Sequence, residues 1–243
     1  MKRILLTFVI VVLLAITGFT VWGLTPQGPM AEVDPYLQNS QAVTVDNSKW
    51  LAFIPIQDPP SNTGFILYPG GHVSYRSYAP VAYKLAEKGV MVVIVPMPLN
   101  LAVMDPGAAG DVMQAYPEIK DWVVGGHSLG GAMAANYVYN HPEQVRGLVL
   151  WASYPAESND LSKFASPVIS IYGSLDSMAT GEKLQNTKPL LPSDTQYMEI
   201  IGGNHAQMGW YGDQAGDMDA AISREEQQSI LLEQTWNFIK GLR

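Results

Sequence analysis

Trp122-Val123-Val124-Gly125-Gly126-His127-Ser128-Leu129-Gly130-Gly131 decides the fold. Its first four residues read as an apolar strand, and the small residues from Gly131 through Ala132, Met133, Ala134 and Ala135 toward Tyr139 read as a helix. Ser128 then stands on the sharp turn between them, the arrangement called a nucleophile elbow. Such a turn strains the serine backbone and exposes its hydroxyl, and it tolerates only small residues where strand and helix approach. Gly126 and Gly130 supply them.

Around this elbow, apolar runs at 65–68, 90–95, 122–125, 148–151, 168–172 and 197–200 alternate with helix-like stretches. The runs are continuously apolar, as strands are when helices cover both faces of a mostly parallel sheet. Residues 42–45 and 50–54 read as an antiparallel hairpin ahead of it, with Asp46-Asn47-Ser48 at the turn. Residues 79–88 read as a helix, with Pro80 in the first turn and Gly89 just past the end. Residues 105–116 read as a weaker helix, because Pro106, Gly107 and Gly110 lie in it. Ser223-Arg224-Glu225-Glu226 has capping-box spacing and opens a closing amphipathic helix. The expected fold is α/β: a three-layer α/β/α sandwich with a mostly parallel central sheet and an N-terminal antiparallel hairpin.

With 243 residues, 47% of them hydrophobic, the chain is long enough for one sizeable core. Residues 4–24 carry no charge, follow Lys2 and Arg3, and would span about 31 Å as a helix. The stretch is longer than a usual signal-peptide core and lacks a clean small-residue cleavage pair, which favours an uncleaved signal anchor over a cleaved peptide. Positive charge before it keeps the N-terminus in the cytoplasm and puts the rest outside the membrane. The division expected is an anchor at 1–24, a linker and lead-in at 25–41 and one folded domain at 42–243.

The chain has no cysteine, which excludes thiol chemistry, disulfides and cysteine-based metal sites. Beyond Lys2 and Arg3, 12 basic residues face 22 acidic ones, so nucleic acid is not an expected partner. Asp213, Asp217 and Asp219 match no EF-hand loop and read as solvated loop charge or helix capping; no metal is expected.

A serine hydroxyl needs a base, and the base needs a carboxylate to orient it. Of the four histidines, His127 adjoins the serine on a tight turn, His141 sits at a helix exit and His72 comes too early in the order. His205 follows the last apolar run in Gly202-Gly203-Asn204-His205 and is the expected base. Asp176 follows another strand in Tyr172-Gly173-Ser174-Leu175-Asp176, and is preferred as the acid to Asp160, which has no strand directly before it. The order is then Ser, Asp, His. For the oxyanion, Leu129 N–H is one expected donor, and Gly71 or His72 N–H, in the loop after the first central strand, is the other. Met97, Leu99, Trp151, Tyr154, Met208, Trp210 and Tyr211 flank strand ends, as acyl-pocket or core residues.

These motifs together resemble the α/β-hydrolase superfamily. Leu67-Tyr68-Pro69-Gly70-Gly71, Trp151-Ala152-Ser153-Tyr154-Pro155 and the stretch from Gly203-Asn204-His205 to Gly216-Asp217 resemble its small bacterial fold-5 subgroup. The resemblance implies Ser128 as nucleophile, Asp176 as acid, His205 as base, an oxyanion hole at Gly70-Gly71-His72, and no cofactor. With only residues 152–167 where such enzymes build a cap, a minimal cap is expected. The activity expected is cleavage of a small-molecule carboxylic ester through an acyl-serine. Two other readings use the same residues: a non-catalytic binding protein on a hydrolase scaffold, and an acyltransferase.

Overall fold

The computed structural model describes residues 2–57 and 62–242, so the outer limits drawn at Met1 and Arg243 lie outside the described residues. In chain order the elements are α1 (Lys2–Gly23), β1 (Val43–Asp46), β2 (Leu51–Pro55), β3 (Thr63–Tyr68), α2 (Ala79–Glu87), β4 (Met91–Ile94), α3 (Ala108–Ala115), β5 (Asp121–His127), α4 (Leu129–Asn140), β6 (Gly147–Trp151), β7 (Val168–Gly173), α5 (Gly181–Thr187), β8 (Gln196–Ile200) and α6 (Arg224–Gly241). The strands form one sheet in the order β1-β2-β4-β3-β5-β6-β7-β8. β1 and β2 pair antiparallel, β2 joins β4 antiparallel, and the remaining pairs are parallel. The three-layer fold read from the sequence is the fold observed.

Two-sided burial explains the unbroken apolar runs. In β3, Phe65 and Leu67 pack into the core on one face with residues of α2 and α6, while Ile66 and Tyr68 pack into the other with α3 and α4. All four are fully buried, and each large apolar side chain taken from water contributes about 1.5–3 kcal/mol.

Pro106 and Gly107 shorten the weak helix: the segment after β4 runs through tight 3-10 turns at Pro98–Asn100 and Ala102–Met104 before α3 begins at Ala108. The closing helix starts as its sequence indicates, with Ser223 Oγ accepting from Glu226 N–H at 3.1 Å. Residues 25–41 are bound to the domain: Met30 N–H donates to Trp210 O at 2.9 Å, and Val33 is fully buried. α1 differs from every other helix. Residues 3–19 are all exposed, and the helix is long and apolar enough to cross a membrane or to act as a signal sequence.

In a parallel sheet every strand delivers its next loop to the same edge. The loops after β3, β4, β5, β7 and β8 therefore meet at the carboxyl edge of the sheet, and the candidate residues gather there.

Candidate active site

Ser128 lies between the last residue of β5 and the first of α4, with φ 53° and ψ −123°. For a residue with a side chain that conformation costs about 1–3 kcal/mol, so the surroundings must impose it. Ser128 N–H donates to Trp151 O at 3.0 Å, and Ser128 O accepts from Ser153 Oγ at 2.6 Å and from Ala132 N–H at 3.1 Å. Close packing demands the two flanking glycines. A Cβ on Gly130 would fall 2.2 Å from Tyr68 O, and one on Gly126 would fall 2.5 Å from the Gly130 carbonyl carbon.

His205 Nδ1–H donates to Asp176 Oδ2 at 2.8 Å, with both side chains almost wholly buried. The second Asp176 oxygen accepts from Met178 N–H at 2.8 Å and Ala179 N–H at 2.7 Å, which fixes the carboxylate plane. With Nδ1–H turned to Asp176, Nε2 is the ring's other nitrogen, and it has no hydrogen-bond partner among the described residues. His205 and Ser128 line one cavity of about 280 Å³, with Leu129, Ala152, Tyr154 and Met178 among its other walls. The structure thus brings Ser128, Asp176 and His205 to one place. Asp160 is exposed and accepts from Ser162 N–H instead.

Three further side chains hold the histidine loop, and two of them, Gln227 and Arg224, carried no expected role. The carboxamide of Gln227, fully buried, accepts from Asn204 N–H at 3.0 Å and donates to Asn204 O at 2.8 Å. Arg224 donates to the carbonyls of Ala206, Gly209 and Gly212, and burial pulls its pKa below the usual arginine value. Asp217 accepts from Ser177 N–H at 3.1 Å and from Ala206 N–H at 2.9 Å, linking the loop of Asp176 to the loop of His205. Of its two expected roles, solvated loop charge is corrected and capping is kept: one oxygen takes the first N–H of the 3-10 turn Ala206–Met208, and the other takes a backbone N–H from a different loop. Asp213 is exposed and lies 3.9 Å from Arg224. The Ser223-to-Glu226 capping pattern, which places Arg224 and Gln227 on the first turn of α6, was the sequence signal for those two residues.

The backbone N–H groups expected at the oxyanion differ in what already engages them. Leu129 N–H lies in the first turn of α4, where a helix has no internal acceptor for it. In the facing loop Pro69 has no N–H, Gly70 N–H donates to Tyr78 Oη at 3.0 Å, and His72 N–H donates to Asn100 O at 2.8 Å. His72 is therefore corrected as a donor, its N–H being already engaged. Gly71 keeps an unengaged N–H among the described residues, and a Cβ placed on it would lie 3.0 Å from the Leu129 side chain.

The same Tyr78 hydroxyl donates to His127 Nδ1 at 2.8 Å, tying the elbow to the glycine loop. Burial, reinforced by the neighbouring His205, holds the His127 pKa well below the usual histidine value, so the ring is neutral. Of the aromatic and sulfur side chains near strand ends, Tyr154 lines the cavity, while Met97, Trp151, Met208, Trp210 and Tyr211 are buried in the core. Leu99 packs under Gly23 at the end of α1.

A doubly covered parallel sheet, with a strained serine between its fifth strand and the following helix, defines the class of α/β-hydrolase folds. Residues 64–229 match the model of the alpha/beta hydrolase family, and the chain belongs to that family. No curated protein sequence matches it. Among solved structures it is similar to Est1E from Butyrivibrio proteoclasticus with ferulic acid bound, at 13% identity and TM-score 0.59, over 83% of this chain and 98% of that one. It is also similar to the carboxylesterase CesB from Bacillus subtilis, at 13% identity and TM-score 0.59, over 86% and 96%. A third is the hydrolase MGS-MChE2 from a lagoon-sediment metagenome, at 20% identity and TM-score 0.59, over 81% and 99%. Identities this low speak for the shared fold.

Proposed function

We propose that the protein is a serine hydrolase that cleaves a carboxylic ester through an acyl-Ser128 intermediate. The observation that carries this reading is His205, which lines one cavity with Ser128, its Nδ1–H held by Asp176 and its Nε2 without a hydrogen-bond partner among the described residues. In the first half-reaction Ser128 Oγ attacks the ester carbonyl carbon and its proton passes to His205 Nε2. Asp176 stabilises the imidazolium, and Leu129 N–H with Gly71 N–H receives the negative oxygen. The carbon–oxygen bond to the leaving alcohol then breaks as His205 returns the proton to that alcohol. Water, deprotonated by the same imidazole, attacks the acyl carbon and releases the acid, and Ser128 regains its proton. Each step uses groups of the chain itself.

The acyl side of the substrate fits the apolar walls given by Ala152, Tyr154 and Met178. We further assign α1 as an uncleaved anchor, with Lys2 and Arg3 on the cytoplasmic side and the folded domain outside. The carboxylesterase among the similar solved structures agrees with ester cleavage. The test is a fluorophosphonate probe, which forms a stable bond only with an activated serine. Wild-type protein is expected to label and to turn over p-nitrophenyl esters, and Ser128→Ala to do neither. Folded wild-type protein that stays unlabelled overturns the proposal.

A further inference from the structure

α1 ends on the loops that surround the site. Two of its last carbonyls accept from side chains of the domain: His72 Nε2–H donates to Trp22 O at 2.7 Å, beside the Thr25 N–H that also reaches it, and Asn100 Nδ2–H donates to Gly23 O at 2.8 Å. The rings of Trp22 and His72 stack at 4.1 Å and 9°, and Gly23 packs against Leu99. His72 is the residue after Gly71, so the end of α1 is fastened one residue from the proposed oxyanion donor. Ahead of this junction the helix touches little of the domain, its residues 3–19 being exposed. A bilayer that contains α1 has Trp22 at its surface, the level such rings favour, and it faces the carboxyl edge of the sheet.

That edge is apolar in the way a membrane-facing edge should be. Among the described residues outside α1, eight large apolar side chains are exposed, and six of them belong to it: Leu24, Val103, Met104, Met178, Ile201 and Met218. Met178 also lines the cavity of Ser128. The remaining two, Ile56 and Tyr139, follow β2 and close α4 at the opposite edge. Single exposed apolar residues are ordinary, but their segregation to the edge where the helix leaves calls for a partner.

We infer that the carboxyl edge rests on the bilayer that holds α1, and that the substrate is an acyl ester resident in that bilayer, entering the cavity past the apolar rim. The inference rests on the hydrolase and anchor assignments made above. It places the acyl chain of the substrate in the membrane and the ester carbonyl at the interface, where Gly71 and Leu129 receive its oxygen.

The absence of cysteine permits single-site labelling of the full chain in phospholipid vesicles. An environment-sensitive dye on Met104→Cys is expected to be quenched several-fold less by aqueous iodide than the same dye on Tyr139→Cys, and more by a lipid-borne spin label. Equal exposure of the two dyes, or recovery from membranes of a chain that has lost α1, overturns the placement whether or not the protein is active. For the substrate, Val103→Glu combined with Met104→Glu is expected to slow hydrolysis of a long-chain ester embedded in vesicles at least ten-fold. Hydrolysis of soluble p-nitrophenyl acetate should stay within two-fold. No loss on the vesicle ester, or equal loss on both, overturns the membrane-drawn substrate while leaving the hydrolase assignment standing. Failure of wild-type protein on both esters instead removes the hydrolase assignment, and with it the proposed substrate.

Discussion

Asp217 Oδ2 accepts from Ala206 N–H at 2.9 Å, one residue past His205. Through its other oxygen the same carboxylate holds Ser177 N–H, one residue past Asp176. The two loops that meet in the Asp176–His205 pair are thus joined a second time. Asp217→Ala removes both acceptors, and a displacement of about 1 Å at a reacting group costs about 10²-fold in rate. We expect kcat on p-nitrophenyl acetate to fall 10- to 100-fold with KM changed less than three-fold. A wild-type kcat in the variant rejects the positioning role.

Tyr78 serves two loops with one hydroxyl, accepting from Gly70 N–H and donating to His127 Nδ1. Tyr78→Phe keeps the ring and leaves both buried partners unsatisfied, at about 1–3 kcal/mol for each group. The variant is expected to unfold at lower urea concentration and to lose about ten-fold in kcat, because the loop carrying Gly71 is no longer fastened to the elbow. Urea titration and steady-state kinetics on the same preparation read both effects.

His127 gives the protein a pH-dependent stability of defined sign. Its folded pKa is depressed by burial, so as pH falls below about 6.5 the unfolded chain takes up a proton that the folded chain refuses. The contribution is present above that pH and is lost as pH falls toward the folded value. His127→Gln should flatten this part of the stability curve by about one proton. Urea unfolding of both proteins above and below that pH measures the difference.

Gly130→Ala would drive a methyl group to within 2.2 Å of Tyr68 O and 2.3 Å of Pro69 O. Both atoms belong to the backbone and neither can swing away, so the loss is expected to exceed about 3 kcal/mol, above the range of ordinary surface changes. Gly181→Ala is the control. That glycine opens α5 with nothing within 4 Å of a new Cβ, and the exchange is expected to stabilise by up to about 1 kcal/mol. Thermal unfolding separates the two, and a tolerated Gly130→Ala contradicts the packing account of the elbow.

The sequence by itself determined the layers and the order of the site. Continuous apolar runs such as Phe65-Ile66-Leu67-Tyr68 report burial on both faces, and that burial is local to each strand. Glycines at 126 and 130 report the tight turn, while Asp176 and His205 each follow a strand, and parallel strands deliver their loops to one edge. Only the tertiary structure decided which groups in that edge are engaged. His72 and Gly71 are equivalent candidates in the sequence, and they part because the backbone carbonyl of Asn100, from the loop after β4, takes the His72 N–H, while the His72 ring bonds the end of α1. Asp217 likewise looks like a surface acid until Ser177 and Ala206, distant in the chain, are brought against its two oxygens. The physical reason is common to both: apolar periodicity and turn chemistry are set by neighbours along the chain. A hydrogen-bond donor is claimed by whatever acceptor the fold brings near, and that partner stands at no fixed spacing in the sequence.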